Sequence, residues 1–441
     1  MSQALIAQAQ EAVRTANWTK LSHYLQQASS APGENRGNCA PPAGVYPSGP
    51  SPRLEASSSQ ALLNLALGAF EQGDFQTRWE IAKILPSAGP GAIAPLGKRL
   101  AEAIEDEDWD LAWFIARLLG EFRHPDAAAL LVGLLQAPPH EDLGSMAASA
   151  LAHLGDLAIA PLTAQLHHAS SRLLAVQALA QISHPTVTDA LLSVVADPDP
   201  AVRTVAIAAL EHLQDERCIP ALVRACADPV AAVRRAAVTS LGGYGQHLGE
   251  APFVRLLAPH LRDFDLEVCR QAALSLGRLP SSSAAAALAE VLRSPPTPLP
   301  LQLDLVRALV WLEIPESLTY LEGYRDEWRP QQTRTFQGGT TPARLWIATA
   351  ELLGQIRRND LKPGATRYLQ ALLTDPPALT PASAPLATDW LGELKRAIAL
   401  SLGQLAQESA IPTLLALLDD ADARVRLHAI AALKRFGMME F

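Results

Sequence analysis

DPDPAVRTVAIAALEHLQDERCIPALVRACADPVAAVRRAAVTSLG, residues 197–242, states one pattern twice. The segments 197–210 and 228–241 align without gaps, and two further copies follow, DFDLEVCRQAALSL at 263–276 and DADARVRLHAIAAL at 420–433. In the first copy Val202, Val205, Ala206, Ala209, Leu210 and Leu213 fall at i, i+3, i+4, i+7, i+8 and i+11, the spacing of a single helical stripe. Val233, Ala236, Ala237, Ser240, Leu241 and Tyr244 repeat it. A shorter apolar segment precedes each stripe, IPALVRACA at 219–227 and IPTLLALLD at 411–419. The repeating unit is therefore helix A, a tight turn carrying Asp and Pro, then helix B. Asp at a helix start accepts an orphan N–H and favours the helix dipole, and Pro fits the first turn.

Less regular copies extend from Trp79 to Phe436, about eleven helical pairs at a period of roughly 31–35 residues. One pair cannot bury its own stripe, so neighbours must stack, and the small alanines let helices approach closely. The expected fold is all-α, an alpha-alpha superhelix (a curved solenoid), over residues 61–441. Two amphipathic helices at 1–28 precede it. Residues 29–60, rich in Pro, Gly and Ser, read as a flexible linker. The tracts 294–300, 329–344 and 374–385 read as lengthened loops.

Composition agrees. Hydrophobic residues make up 49% of the 441 and aromatics only 5%, which suits many small helix contacts better than a few aromatic cores. A net charge of −9 with no basic tract argues against nucleic-acid binding. Cys39, Cys218, Cys226 and Cys269 form no C-x-x-C pair and no disulfide framework, so reduced thiols and a cytoplasmic location are expected. No apolar run nears the roughly 20 residues that span a bilayer, so no membrane insertion is expected.

Candidate sites are few. Arg172, Arg203, Arg234, Lys395 and Arg426 share the second position of the helix-B stripe, and Cys269 interrupts the row. The row reads first as internal, each cation bonding an aspartate or a carbonyl of an adjacent turn. Its alternative is a cationic surface for an acidic partner, to which Arg235 and Arg270 would add. The i+5 slot (Ile207, Val238, Ala273, Ile430) reads as contact with the next repeat rather than an open apolar strip. Trp109 and Trp113, four apart in EDEDWDLAWFIAR (105–117), share a helix face and are candidates for a partner contact as well as for packing. His167 and His168 point to different faces without a third ligand, and His428 takes the slot of Val205. No phosphate loop, zinc pattern or nucleophile elbow occurs, so neither catalytic nor metal residues are assigned.

Residues 197–242 and 407–436, and more loosely 91–196 and 246–406, resemble the short HEAT-like repeats named for phycobilisome lyases, the helper proteins that attach bilins to phycobiliproteins. The resemblance implies a protein–protein interaction scaffold tied to phycobilisome or pigment–protein assembly or turnover, with a phycobiliprotein as partner. Its alternative is a subunit of a phycobilin lyase or isomerase, with a bilin as the bound group and arginines meeting its propionates. HEAT-like iron hydroxylases of the deoxyhypusine class use repeated His-Glu pairs, of which this chain has one, His140-Glu141.

Overall fold

The structure is a computed structural model that describes residues 2–29, 56–136, 138, 140–327, 341–376 and 389–438. Most of 29–60, and most of the tracts at 329–344 and 374–385, lie outside the described residues. Among those described there is no strand. Helical pairs follow one another along the chain, in two compact units, Met1–Ala209 and Leu210–Phe441.

In the first unit the helices are α1 (Ser2–Arg14), α2 (Trp18–Ser29), α3 (Ala56–Gln72), α4 (Phe75–Ile84), α5 (Ile93–Glu105), α6 (Trp109–Leu119), α7 (Pro125–Gln136), α8 (Glu141–Leu154), α9 (Asp156–Gln165), α10 (Arg172–Gln181) and α11 (Val187–Ser193). The unit boundary falls inside α12 (Pro200–Leu213). Helices α5, α7 and α9 pack on one another as the A row, and α4, α6, α8 and α10 as the B row. The amphipathic pair α1–α2 packs on α3 and α4, so it forms the first layer of this stack.

The second unit continues with α13 (Ile219–Ala225), α14 (Ala231–Gly243), the single turn α15 (Gly245–Leu248), α16 (Glu250–Leu257), α17 (Leu266–Leu276), α18 (Ser282–Leu292), α19 (Leu299–Trp311), α20 (Pro315–Glu327), α21 (Thr341–Leu353), α22 (Lys362–Thr374), α23 (Trp390–Leu405), α24 (Ile411–Ala416) and α25 (Ala423–Lys434). Here α14, α17, α19, α21, α23 and α25 form the B row, each packed on the next.

Alanine and glycine set the B-row spacing. A Cβ placed on Gly277 would lie 2.8 Å from the Ala308 Cα, and one on Gly403 would lie 2.7 Å from the Ala432 Cβ, so the two backbones meet where only hydrogen fits. Ile207, Val238 and Ala273 in the i+5 slot are fully buried and Ile430 is half-buried, so this slot belongs to the inter-repeat core.

In three of the four aligned turns, two aspartates share the work, which refines the reading of a single cap. The Oδ1 atoms of Asp197, Asp228, Asp263 and Asp420 accept the N–H two residues on, at 2.8–2.9 Å, and so fold the turn. Where a second aspartate follows it caps helix B: Asp265 accepts the Glu267 and Val268 amides at 2.9 and 3.1 Å, and Asp422 accepts Arg424 at 2.9 Å. At the other end, several helices are followed within two residues by a left-handed residue other than glycine, including Gln214, Glu313 and Ala406 at φ 45–53°.

Candidate functional site

The cationic row turns inward. Arg172 reaches the Leu166 carbonyl at 2.6 Å and the Asp197 carboxylate at 2.7 Å. Arg203 donates to the Asp197 and Pro198 carbonyls at 2.7 and 3.1 Å, and Arg426 to those of Asp420 and Ala421 at 2.7 and 3.0 Å. Arg234 does both, donating to the Asp228 carbonyl at 2.9 Å and forking onto Asp263 at 2.8 and 2.7 Å. Lys395 meets Asp420 at 2.6 Å. Even the interruption conforms, because the Cys269 thiol donates to the Asp263 carbonyl at 3.2 Å. Gln302, at the corresponding place of α19, donates to the Thr297 carbonyl at 3.0 Å. A donor at this position satisfies turn carbonyls that would otherwise be stranded near the core.

One residue further on, the side chains leave the turn. Arg235 stands exposed. Arg270 shares the almost fully buried Asp304 with Arg307, at 2.6 and 2.5 Å, so its charge is met within the B row. Burial of a carboxylate requires such partners.

The aromatic candidates lie on the B row of the first unit, where the starts of α4, α6 and α8 come side by side. Asp74 caps α4 through the Thr77 amide at 2.9 Å, and Asp108 caps α6 through Leu111 at 3.0 Å. His140 caps α8, its Nδ1 accepting from Asp142 at 3.3 Å. The Thr77 amide holds the Asp74 carboxyl below the usual carboxylate range.

Trp109 at the start of α6 stacks on His140, with centroids 5.5 Å apart and an interplanar angle of 25°. One turn on, Trp113 meets the edge of buried Phe114 at 5.3 Å. Phe75 of α4 also sets itself against Phe114, at 5.2 Å, and lies flat beside Trp79 at 6.2 Å. The Arg117 guanidinium covers the Trp79 ring at 4.0 Å. Three of the chain's eight tryptophans thus gather on two neighbouring helices.

Between these groups opens a cleft of about 510 Å³, lined by Phe75, Trp109, Trp113 and Phe114 with Asp74, Asp110, Asp142, Arg78 and His140. Two smaller hollows continue over α4, α6 and α8 as far as Gln181 at the end of α10. Phe75 is 66% exposed despite its size, and Trp109 and Trp113 are half-buried. The lining offers large flat apolar surfaces and carboxylates, the means of binding. Among the described residues no group of three His, Cys, Asp or Glu could hold a metal ion.

The structure therefore brings Trp109 and Trp113 together in one cleft. It commits Arg172, Arg203, Arg234 and Arg426 to turns, and places Arg235 and Arg270 on the second unit's B row. Sequence reasoning missed Phe75, Trp79, Arg78 and Arg117. The signal for the first three was the stretch FQTRWE (75–80), whose Phe75 and Trp79 are spaced four apart like Trp109 and Trp113, while Arg117 ends the stretch 105–117 itself.

Comparison with known proteins agrees with the architecture. The family model for HEAT repeats matches residues 59–152, 94–173, 159–242 and 379–440, together more than half of the chain. No curated protein matches. Among solved structures, an engineered protein aligns over 95% of this chain and 99% of its own, at 17% identity and a TM-score of 0.33. A Kap121p mutant aligns over 87% of this chain and 51% of its own, at 13% identity and a TM-score of 0.48. The CpcE–CpcF complex of phycocyanin lyase from a Nostoc species aligns over 64% and 98%, at 19% identity and a TM-score of 0.29.

Proposed function

Because the chain belongs to the HEAT-repeat family, we propose that it is a protein-binding scaffold whose partner docks on the aromatic cleft of the first unit. One observation carries the reading: an aromatic-poor chain displays Phe75 at 66% exposure, stacked beside Trp79 and facing Trp109 and Trp113 around a cleft. Exposing a phenylalanine forgoes about 1.5–3 kcal/mol of burial, which a partner can recover by covering it. Tryptophan-rich centres ringed by polar groups are where interface energy concentrates. The resemblance of residues 197–242 to phycobilisome-lyase repeats suggests a phycobiliprotein as that partner.

The alternative, a bilin lyase or isomerase subunit, draws on the arginine row as a carboxylate site. Arg172, Arg203, Arg234 and Arg426 are already spent on carbonyls and aspartates, so the scaffold reading has the better support. Photo-crosslinking tests it. Benzoylphenylalanine replacing Phe75 should give a discrete protein adduct in native extract, whereas the same group replacing exposed Leu415 of α24 should not. Equal labelling from both positions would remove the cleft from consideration.

A further inference from the structure

The cleft carries a charge pattern as well as an apolar wall. Asp74, Asp110 and Asp142 line it against a single fixed cation, Arg78, whose guanidinium is turned to the Glu71 carbonyl at 3.2 Å. All three aspartates are exposed; Asp74 also caps α4 through the Thr77 amide and Asp142 lies 3.7 Å from the His140 ring, but among the described residues none meets a lysine or arginine of the cleft. Exposed Glu105, Asp106 and Glu107 immediately precede the Asp108 cap, adding negative charge at the mouth. An isolated carboxylate cluster on a helix N-terminus needs no explanation beyond the dipole. Here the carboxylates line the same cleft as Trp109 and Trp113, and aromatic rings beside anionic groups attract a cation from both directions. The fold already uses the same chemistry next door, where Arg117 covers Trp79 at 4.0 Å.

We propose that the partner enters this cleft with a basic segment, lodging an arginine or lysine side chain against Trp109 and Trp113 between Asp110 and Asp142. The proposal rests on the reading of the cleft as a protein-docking site and specifies the chemistry of its occupant. Aliphatic stems of arginine and lysine suit the apolar wall, and their heads reach the aspartates at the rim. An acidic or purely apolar segment would leave the carboxylates facing like charge or stripped of water.

The test uses the full chain and two fluorescein-labelled peptides, one alternating arginine with glycine and one alternating glutamate with glycine. Fluorescence anisotropy at low salt should show the arginine peptide binding at least about ten-fold more tightly, with the preference shrinking as salt rises. Asp110→Asn with Asp142→Asn should abolish that preference in a variant that stays folded, lowering the melting temperature only slightly, since both side chains are exposed and lose only a first-turn helix-dipole interaction. Trp109→Phe should weaken arginine-peptide binding less than the aspartate pair does. Equal binding of the two peptides, or a preference that survives the double substitution, overturns the proposal. A crosslinked partner at position 75 whose contacting segment lacks Arg and Lys would also overturn it, while leaving the docking site itself in place.

Discussion

Replacing Arg234 by alanine removes four hydrogen bonds at once. Its guanidinium forks onto Asp263 at 2.7 and 2.8 Å and donates to the Asp228 and Pro229 carbonyls at 2.9 and 3.1 Å. The guanidinium retains 14% of its accessible surface and the carboxylate 8%, so water cannot readily replace either partner. Breaking a buried pair from one side costs about 3–5 kcal/mol, because a charge is left behind. Asp263 keeps the Asp265 amide at 2.9 Å, and His260 lies 3.9 Å away, which softens the loss. We therefore expect Arg234→Ala to cost about 2–4 kcal/mol. Arg234→Lys should recover less than half of that, since a point charge cannot fork. Urea denaturation followed by circular dichroism gives the total. Hydrogen exchange gives its location: protection should fall in α14 and α17 and persist in α23 and α25, as nearest-neighbour stacking requires. A variant within about 0.5 kcal/mol of wild type, or one with uniformly reduced protection, would refute the internal role assigned to the row.

Other consequences can be measured in the same way. Gly277→Ala, which would normally favour a helix, should instead destabilise by about 1–3 kcal/mol in urea titration, because its Cβ would lie 2.8 Å from the Ala308 Cα. Ala406→Gly should stabilise by about 0.5–1 kcal/mol, since Ala406 ends α23 at φ 53° and glycine takes that conformation without a Cβ penalty. Acid should unfold the second unit in two stages when thermal stability is followed against pH. Burial holds the His260 imidazole below its ordinary value of 6.5, so the neutral form is favoured in the fold and stability begins to fall as pH drops below that value. Burial alone would raise the Asp263 carboxyl, but Arg234 and the Asp265 amide outweigh it, and Lys395 likewise holds Asp420 below 3.8. Their contribution is complete above the ordinary carboxylate value and disappears as pH falls through the lowered folded values.

The repeat was legible because residues 197–242 show the helix period and the turn chemistry together, and stacking follows from a stripe that one pair cannot bury. The inward course of Arg203 and Arg234 was legible in part, through their coincidence with the turn aspartates six residues upstream. What the sequence hid was convergence between separate helices. Trp109 and Trp113 announce one face of α6, but nothing local says that Phe75 and Trp79 of α4 and His140 before α8 lie beside it. The docking of α1–α2 was hidden for the same reason, since amphipathicity marks a face to be covered without naming the cover. Arg270 shows the limit from another side: its partner Asp304 stands 34 residues on, in a copy too irregular to align by eye.

The docking claim is tested most directly with the protein crosslinked from position 75, by titrating it calorimetrically into wild-type chain and into Phe75→Ser. Phe75 is exposed enough for the substitution to leave the melting temperature nearly unchanged. The account predicts affinity weakened by about ten-fold or more, the loss of one buried aromatic at the centre of an interface. Unchanged affinity in the folded variant would contradict it.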